Sequence, residues 1–200
     1  MVSKRSVILA GVFGLVLVGV AAFSYACATC GCSAGAKAAK VAVTKPFDVL
    51  DVTGPAKGEK LCYICRYGGG PSFVVFTRRA DGHIRHLAPE IQKAVTANAK
   101  HGVRAFVVLL ADNTEANRAK LTALAKELRL TIPLTIAGDG AKGPASYELP
   151  ARFDTRVLVA NRNKVLSTID VNCAKDACGS TQCARVSDVA AASKTLVDSL

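Results

Sequence analysis

The sequence predicts an α/β domain: a mixed sheet with a parallel core and a C-terminal antiparallel hairpin, flanked by helices. Three observations carry this. Apolar runs at 72–78 (Ser-Phe-Val-Val-Phe-Thr-Arg) and 104–111 (Arg-Ala-Phe-Val-Val-Leu-Leu-Ala) are continuous rather than alternating, as in strands buried on both faces. Helical-period segments separate these runs, so the strands are joined by crossovers and lie parallel. Near the C-terminus, Asn161-Arg162-Asn163 between two apolar runs is a hairpin signal.

Taken in order, Phe47–Val52 alternates loosely and stops at Thr53-Gly54-Pro55, which suits a short strand and turn. A loop carrying Cys62-Tyr63-Ile64-Cys65 and the breaker Gly68-Gly69-Gly70-Pro71 lead into the first core strand. From Ile84, the residues Leu87, Ile91, Ala94 and Val95 fall at helical spacing, ending near Gly102. Pro89 places the start of regular helix, or a bend, close to itself. After the second core strand, Asp112-Asn-Thr-Glu115 has a capping-box pattern for a helix with Leu121, Leu124, Ala125 and Leu128 on one face. Thr131–Ile136 is a third strand, 156–160 and 164–171 form the hairpin, and Ser187 caps a last helix carrying Val189, Ala192, Leu196 and Leu200.

The chain has 200 residues, half of them hydrophobic, enough for one core plus a short extra segment. Lys4 and Arg5 precede an uncharged apolar run from Val7 to Phe23, with small residues at Ser24, Ala26 and Ala28, the layout of a signal peptide or N-terminal membrane anchor over 1–28. Cys27 behind Ala26 is also a candidate lipidated residue, although Ser24-Tyr25-Ala26 is a poor lipobox. Every one of these routes delivers the remainder outside the cytosol, on the cell-envelope, periplasmic or extracellular side. Residues 29–45 are rich in Ala and Gly and read as a tether to a domain over 46–200, in which 173–186 is a cysteine-bearing loop and 187–200 the terminal helix. The net charge of +11 is dispersed, with no basic run longer than two residues and few interleaved aromatics, so nucleic acid is not an expected partner.

Eight cysteines stand at 27, 30, 32, 62, 65, 173, 178 and 183. Small disulfide scaffolds reach such a density because their cores are small, which does not hold here. Cys62 and Cys65 have the spacing of a small, reducible disulfide ring, and Arg66 beside Cys65 favours the thiolate. A static disulfide, two buried thiols or a metal site remain open for the pair. A c-type haem site is unlike it, because Arg66 stands where that motif needs His. Cys27/Cys30/Cys32 and Cys173/Cys178/Cys183 could hold Cu(I) or Zn, or the second trio could close one local disulfide and send its third thiol elsewhere. His83 and His86 make at most half a metal site and are expected to be exposed or capping. Gly68-Gly69-Gly70 lacks the Gly-Lys-Ser/Thr of a phosphate loop.

The stretches FDVLDVTG, PSFVVFTR and LTIPLTIAGDG…SYELPARFDTRVLVANRNKVLSTI, in this order over about 47–172, resemble the thioredoxin-like superfamily, in particular its redoxin and peroxiredoxin branch. The chain also resembles exported bacterial thioredoxin-like proteins that carry CYxCRYG ahead of the core strand. The resemblance implies thiol–disulfide exchange with a protein thiol or disulfide partner and no organic cofactor. It puts the usual Cys-x-x-Cys directly after the first core strand, where this chain has Thr77-Arg-Arg-Ala-Asp-Gly82, and Asp154-Thr155 replaces the usual Thr-Pro. Cys62 and Cys65 are then the candidate catalytic pair, with Tyr63 and Ile64 setting their environment. They precede the core strand, but a strand of about 23 Å and a loop able to reach about 20 Å leave their end of the sheet open. A scaffold or binding module with structural disulfides and a copper- or zinc-handling protein are the alternatives.

Overall fold

The computed structural model describes residues 32–37, 43–150, 153–173 and 185–200. The expected signal peptide or anchor over 1–28 lies outside them, and among the described residues no helix is long and apolar enough to cross a membrane. Eight strands form one mixed sheet: β1 (Cys32–Lys37), β2 (Val49–Asp51), β3 (Lys60–Leu61), β4 (Ser72–Thr77), β5 (Arg104–Leu109), β6 (Leu134–Ala137), β7 (Thr155–Asn161) and β8 (Lys164–Cys173). Their order is β1-β8-β7-β4-β5-β6-β2-β3, with β4, β5 and β6 parallel and the other pairings antiparallel. Four α-helices, α1 (Tyr63–Tyr67), α2 (His83–Ala97), α3 (Glu115–Glu127) and α4 (Arg185–Asp198), and three short 3-10 turns complete the described structure.

The two continuous apolar runs are the central strands. All six residues of β4 are buried, and they divide by parity: Phe73 and Val75 face one core, Val74 and Phe76 the other. The first core takes Ile84, Leu87 and Ile91 of α2, Leu121 and Leu124 of α3, and Val189, Ala192 and Leu196 of α4. All three long helices therefore lie on one face. The opposite face is closed by α1, Phe47, Tyr147 and Phe153, so its cover is aromatic and largely irregular.

Several elements differ in detail from expectation. α2 begins at His83 and runs through Pro89, whose ring sits seven residues into the helix. The N-cap of α3 is Thr114, whose hydroxyl accepts from the Asn117 N–H at 3.2 Å, two residues past the expected Asp112. Between β7 and β8, Arg162 and Asn163 both adopt positive φ (51° and 61°), as a tight two-residue hairpin turn requires. The stretch expected as a tether contributes β1, which adds to the outer edge of β8 through Cys32 to Lys37. An added edge strand needs backbone groups rather than large apolar side chains, which is why Ala/Gly composition does not prevent it.

Candidate functional site

Cys62 and Cys65 do not lie in an open loop. They bracket the start of α1, a single helical turn too short to be stable alone. Its stability comes from what it buries. Tyr63 and Ile64 are inside the aromatic core, Tyr63 stacks on Phe106 at 5.2 Å between centroids, and Tyr67 packs edge-on to Phe106 and donates its hydroxyl to the Ala105 carbonyl at 3.0 Å. Cys62 is the N-cap, in extended conformation, and its Sγ accepts the Cys65 N–H at 3.1 Å. Gly68, at φ 60° and ψ 30°, ends the turn and returns its N–H to the Cys65 carbonyl at 3.1 Å.

The two cysteines are joined by a disulfide, with Cα atoms 5.3 Å apart. Cys65 is exposed and Cys62 half-buried. The Cys62 sulfur faces the Cys65 backbone N–H, a contact that can also stabilise a thiolate at Cys62 when the bond is open. Arg66 can favour a thiolate at Cys65 only in the reduced pair. In the oxidised state Arg66 lies exposed in the last turn of α1.

Beneath the turn lies a group the sequence reading passed over. Asp51, the last residue of β2, is buried, and its carboxylate accepts three hydrogen bonds: from Tyr63 Oη at 2.7 Å, Gly54 N at 2.6 Å and Ala56 N at 2.9 Å. It ties α1 to the β2–β3 turn. Gly54 is required there, since a Cβ would stand 2.6 Å from both Asp51 Oδ2 and Tyr63 Oη. Burial, with the Asp51 contact adding to it, pushes the Tyr63 hydroxyl well above the ordinary tyrosine range. Burial also raises Tyr67, against the opposing pull of Arg104 and Arg66, and raises Tyr147 to about 12.

The loop after α1 turns tightly instead of reaching along β4. Gly70 N–H bonds to the Tyr67 carbonyl at 3.0 Å, and Gly69, at φ 76°, packs on Asn163 of the hairpin turn. Arg104, at the start of β5, lies over the Tyr67 ring at 5.3 Å. The disulfide therefore sits at the amino-terminal ends of β4 and β5. Thr77–Gly82, where the resemblance expects the dithiol, starts at the last residue of β4, at the other end of that strand and about 17 Å away along it. That end has a cleft of about 530 Å³ lined by Arg78, Arg79, Asp81, Arg85, Lys120 and Glu127 among others, in which Arg79 pairs with Asp81 and Arg85 with Glu127.

His83 is buried rather than exposed, with Nε2 3.9 Å from Asp154 Oδ2. Burial lowers its pKa, and Asp154 opposes the shift. Among the described residues no three His, Cys, Asp or Glu side chains gather as metal ligands, so His83 and His86 gain no third partner there. Cys27, Cys30, Cys178 and Cys183 lie outside the described residues, and Cys32 and Cys173 are the first residue of β1 and the last of β8.

No family model matches the chain, and no curated protein matches it. Solved structures do. The thioredoxin domain of a thiol-disulfide oxidoreductase from Bacteroides vulgatus superposes with a TM-score of 0.52 at 15% identity, covering 76% of this chain and 99% of that one. Peroxidoxin BcpB from Mycobacterium tuberculosis gives 0.55 at 17% identity, with 80% and 98% covered. A secreted disulfide oxidoreductase of the same organism, homologous to E. coli DsbE, gives 0.50 at 14% identity, with 74% and 94% covered. With its strand order, its crossovers and these likenesses together, the chain has a thioredoxin-like fold.

Proposed function

We propose that this is an exported thiol–disulfide exchange protein that works through Cys62 and Cys65. The observation that carries the reading is the disulfide itself: a short ring on a solvent-facing turn, with Cys65 exposed and the sulfur of Cys62 facing a backbone N–H. In the exchange, a partner thiolate attacks Cys65 Sγ, the Cys62–Cys65 bond breaks, and Cys62 leaves as a thiolate. The partner's second thiolate then attacks its own sulfur in the mixed disulfide and displaces Cys65. The partner dithiol is oxidised to a disulfide, and the Cys62/Cys65 pair takes up the two electrons.

Export rests on the N-terminal layout of Lys4, Arg5 and the apolar run, and the secreted protein among the similar structures is compatible with it. Outside the cytosol the resting state is the oxidised pair, and the chemistry above starts from it.

Equilibrating the full chain with graded ratios of reduced and oxidised glutathione, followed by acid quenching and alkylation, measures the couple. The proposal expects Cys62 and Cys65 to titrate together at a potential clearly above about −300 mV, the region below which structural disulfides lie. A pair that stays oxidised throughout that range is a structural staple, and the exchange reading fails.

A further inference from the structure

We propose that Cys32 and Cys173 form a second disulfide, which fastens β1 to the sheet and joins the two outer cysteine groups of the sequence. The register is the primary observation. β1 and β8 pair antiparallel over six residue pairs, from Cys32 opposite Cys173 to Lys37 opposite Thr168. Directly opposed residues of an antiparallel pair share a face of the sheet, with Cα atoms about 4.5 or 5.5 Å apart according to the hydrogen-bonding pattern, and both spacings lie within the range a disulfide spans.

The composition of β1 supplies a reason for such a link. Cys-Ser-Ala-Gly-Ala-Lys carries no large apolar side chain, so the strand contributes mainly backbone hydrogen bonds at the sheet edge. A covalent closure at its first residue would keep it paired by removing the open-chain alternatives.

Position separates this link from the exchange site. Val171 is opposite Thr155, which is opposite Thr77, so Cys173 ends β8 at the carboxyl end of β4. Cys62 and Cys65 are at the amino end and already bonded to each other. Among the described residues, Cys32 is the cysteine that the topology brings to Cys173. Formation removes two protons and two electrons from the two thiols, and an external low-molecular-weight or protein disulfide accepts them and leaves as two thiols.

Trypsin makes the test direct. Cys173 falls alone in the peptide 165–175, Cys178 and Cys183 fall in 176–185, and Cys27, Cys30 and Cys32 share 6–37. The full chain is oxidised with glutathione disulfide, alkylated without reduction and digested. Mass spectrometry is expected to find 165–175 joined to the peptide that contains Cys32. The Cys27→Ser/Cys30→Ser variant should retain the joined peptide and Cys32→Ser should lose it. An alkylated 165–175, its linkage to 176–185, a link that survives Cys32→Ser, or copper or zinc bound stoichiometrically with Cys173 unoxidised would each overturn the assignment. If Cys32→Ser does not fold, the Cys27→Ser/Cys30→Ser variant still decides, because Cys32 is then the one cysteine in 6–37.

Discussion

Asp51 and Tyr63 show how one buried contact holds a site. Tyr63 is the second residue of the Cys-x-x-Cys ring, and its hydroxyl reaches into the core instead of to solvent, where a carboxylate already satisfied by two backbone N–H groups accepts it. Removing the hydroxyl with Tyr63→Phe leaves the carboxylate with two partners, which costs about 1–2 kcal/mol of stability near neutral pH. Asp51→Ala leaves a buried hydroxyl and two N–H groups unpaired, so a loss of about 3 kcal/mol or more is expected. The pH dependence distinguishes the Tyr63 contribution. Because the folded state holds this proton more tightly than the unfolded chain, the stabilisation is complete below about pH 10, the unfolded tyrosine value, and declines as pH rises above it. Urea unfolding at a series of alkaline pH values should therefore show a shallower decline for Tyr63→Phe than for the parent chain. Cys62 and Cys65 were legible in the sequence because their spacing is itself the chemical signal. Asp51 was not, since in Phe47–Val52 it looks like an outward polar position of a loosely alternating strand, and only the fold turns it inward.

Among elements, α1 is the one whose existence depends most on its surroundings. Five residues show no period, so the sequence presents them as a loop, and the helical turn comes from Tyr63 and Ile64 docking into the aromatic core with Gly68 as the cap. Gly68→Ala places a Cβ on a left-handed residue, although the space around it is open. The expected cost is about 1 kcal/mol, concentrated in α1. Hydrogen exchange should show faster exchange at the Arg66 and Gly68 amides with the central strands β4 and β5 unchanged; equal acceleration in both places would mean that α1 is not an independent element. Elsewhere the strength of the local signal decided legibility. β4, β5 and the β7–β8 hairpin carry continuous apolar runs or turn residues and are found where expected. β1 has neither, and its pairing to β8 follows from an edge that the rest of the sheet leaves available.

For the whole molecule, the sheet separates two sulfur centres. The Cys62–Cys65 disulfide, the proposed exchange pair, occupies the amino-terminal ends of β4 and β5 and the proposed Cys32–Cys173 link the opposite end, so reduction of the first need not disturb the second. The thioredoxin-like architecture was legible from element order alone, because crossover rules leave few ways to join these strands. The placement of the dithiol was not, because the loop length permitted either end and the tight turns at Gly68 and Gly69 decided it. The central claim is that Cys65 meets the partner and Cys62 leaves. Incubating a mixed thiol–disulfide reagent with Cys62→Ser and with Cys65→Ser, and following adduct formation by intact-mass kinetics, tests it most directly. The account expects Cys62→Ser to form a persistent adduct on Cys65 at least about tenfold faster than Cys65→Ser forms one on Cys62, since Cys65 is the more exposed residue of the pair. Equal rates, or faster capture at Cys62, would contradict it.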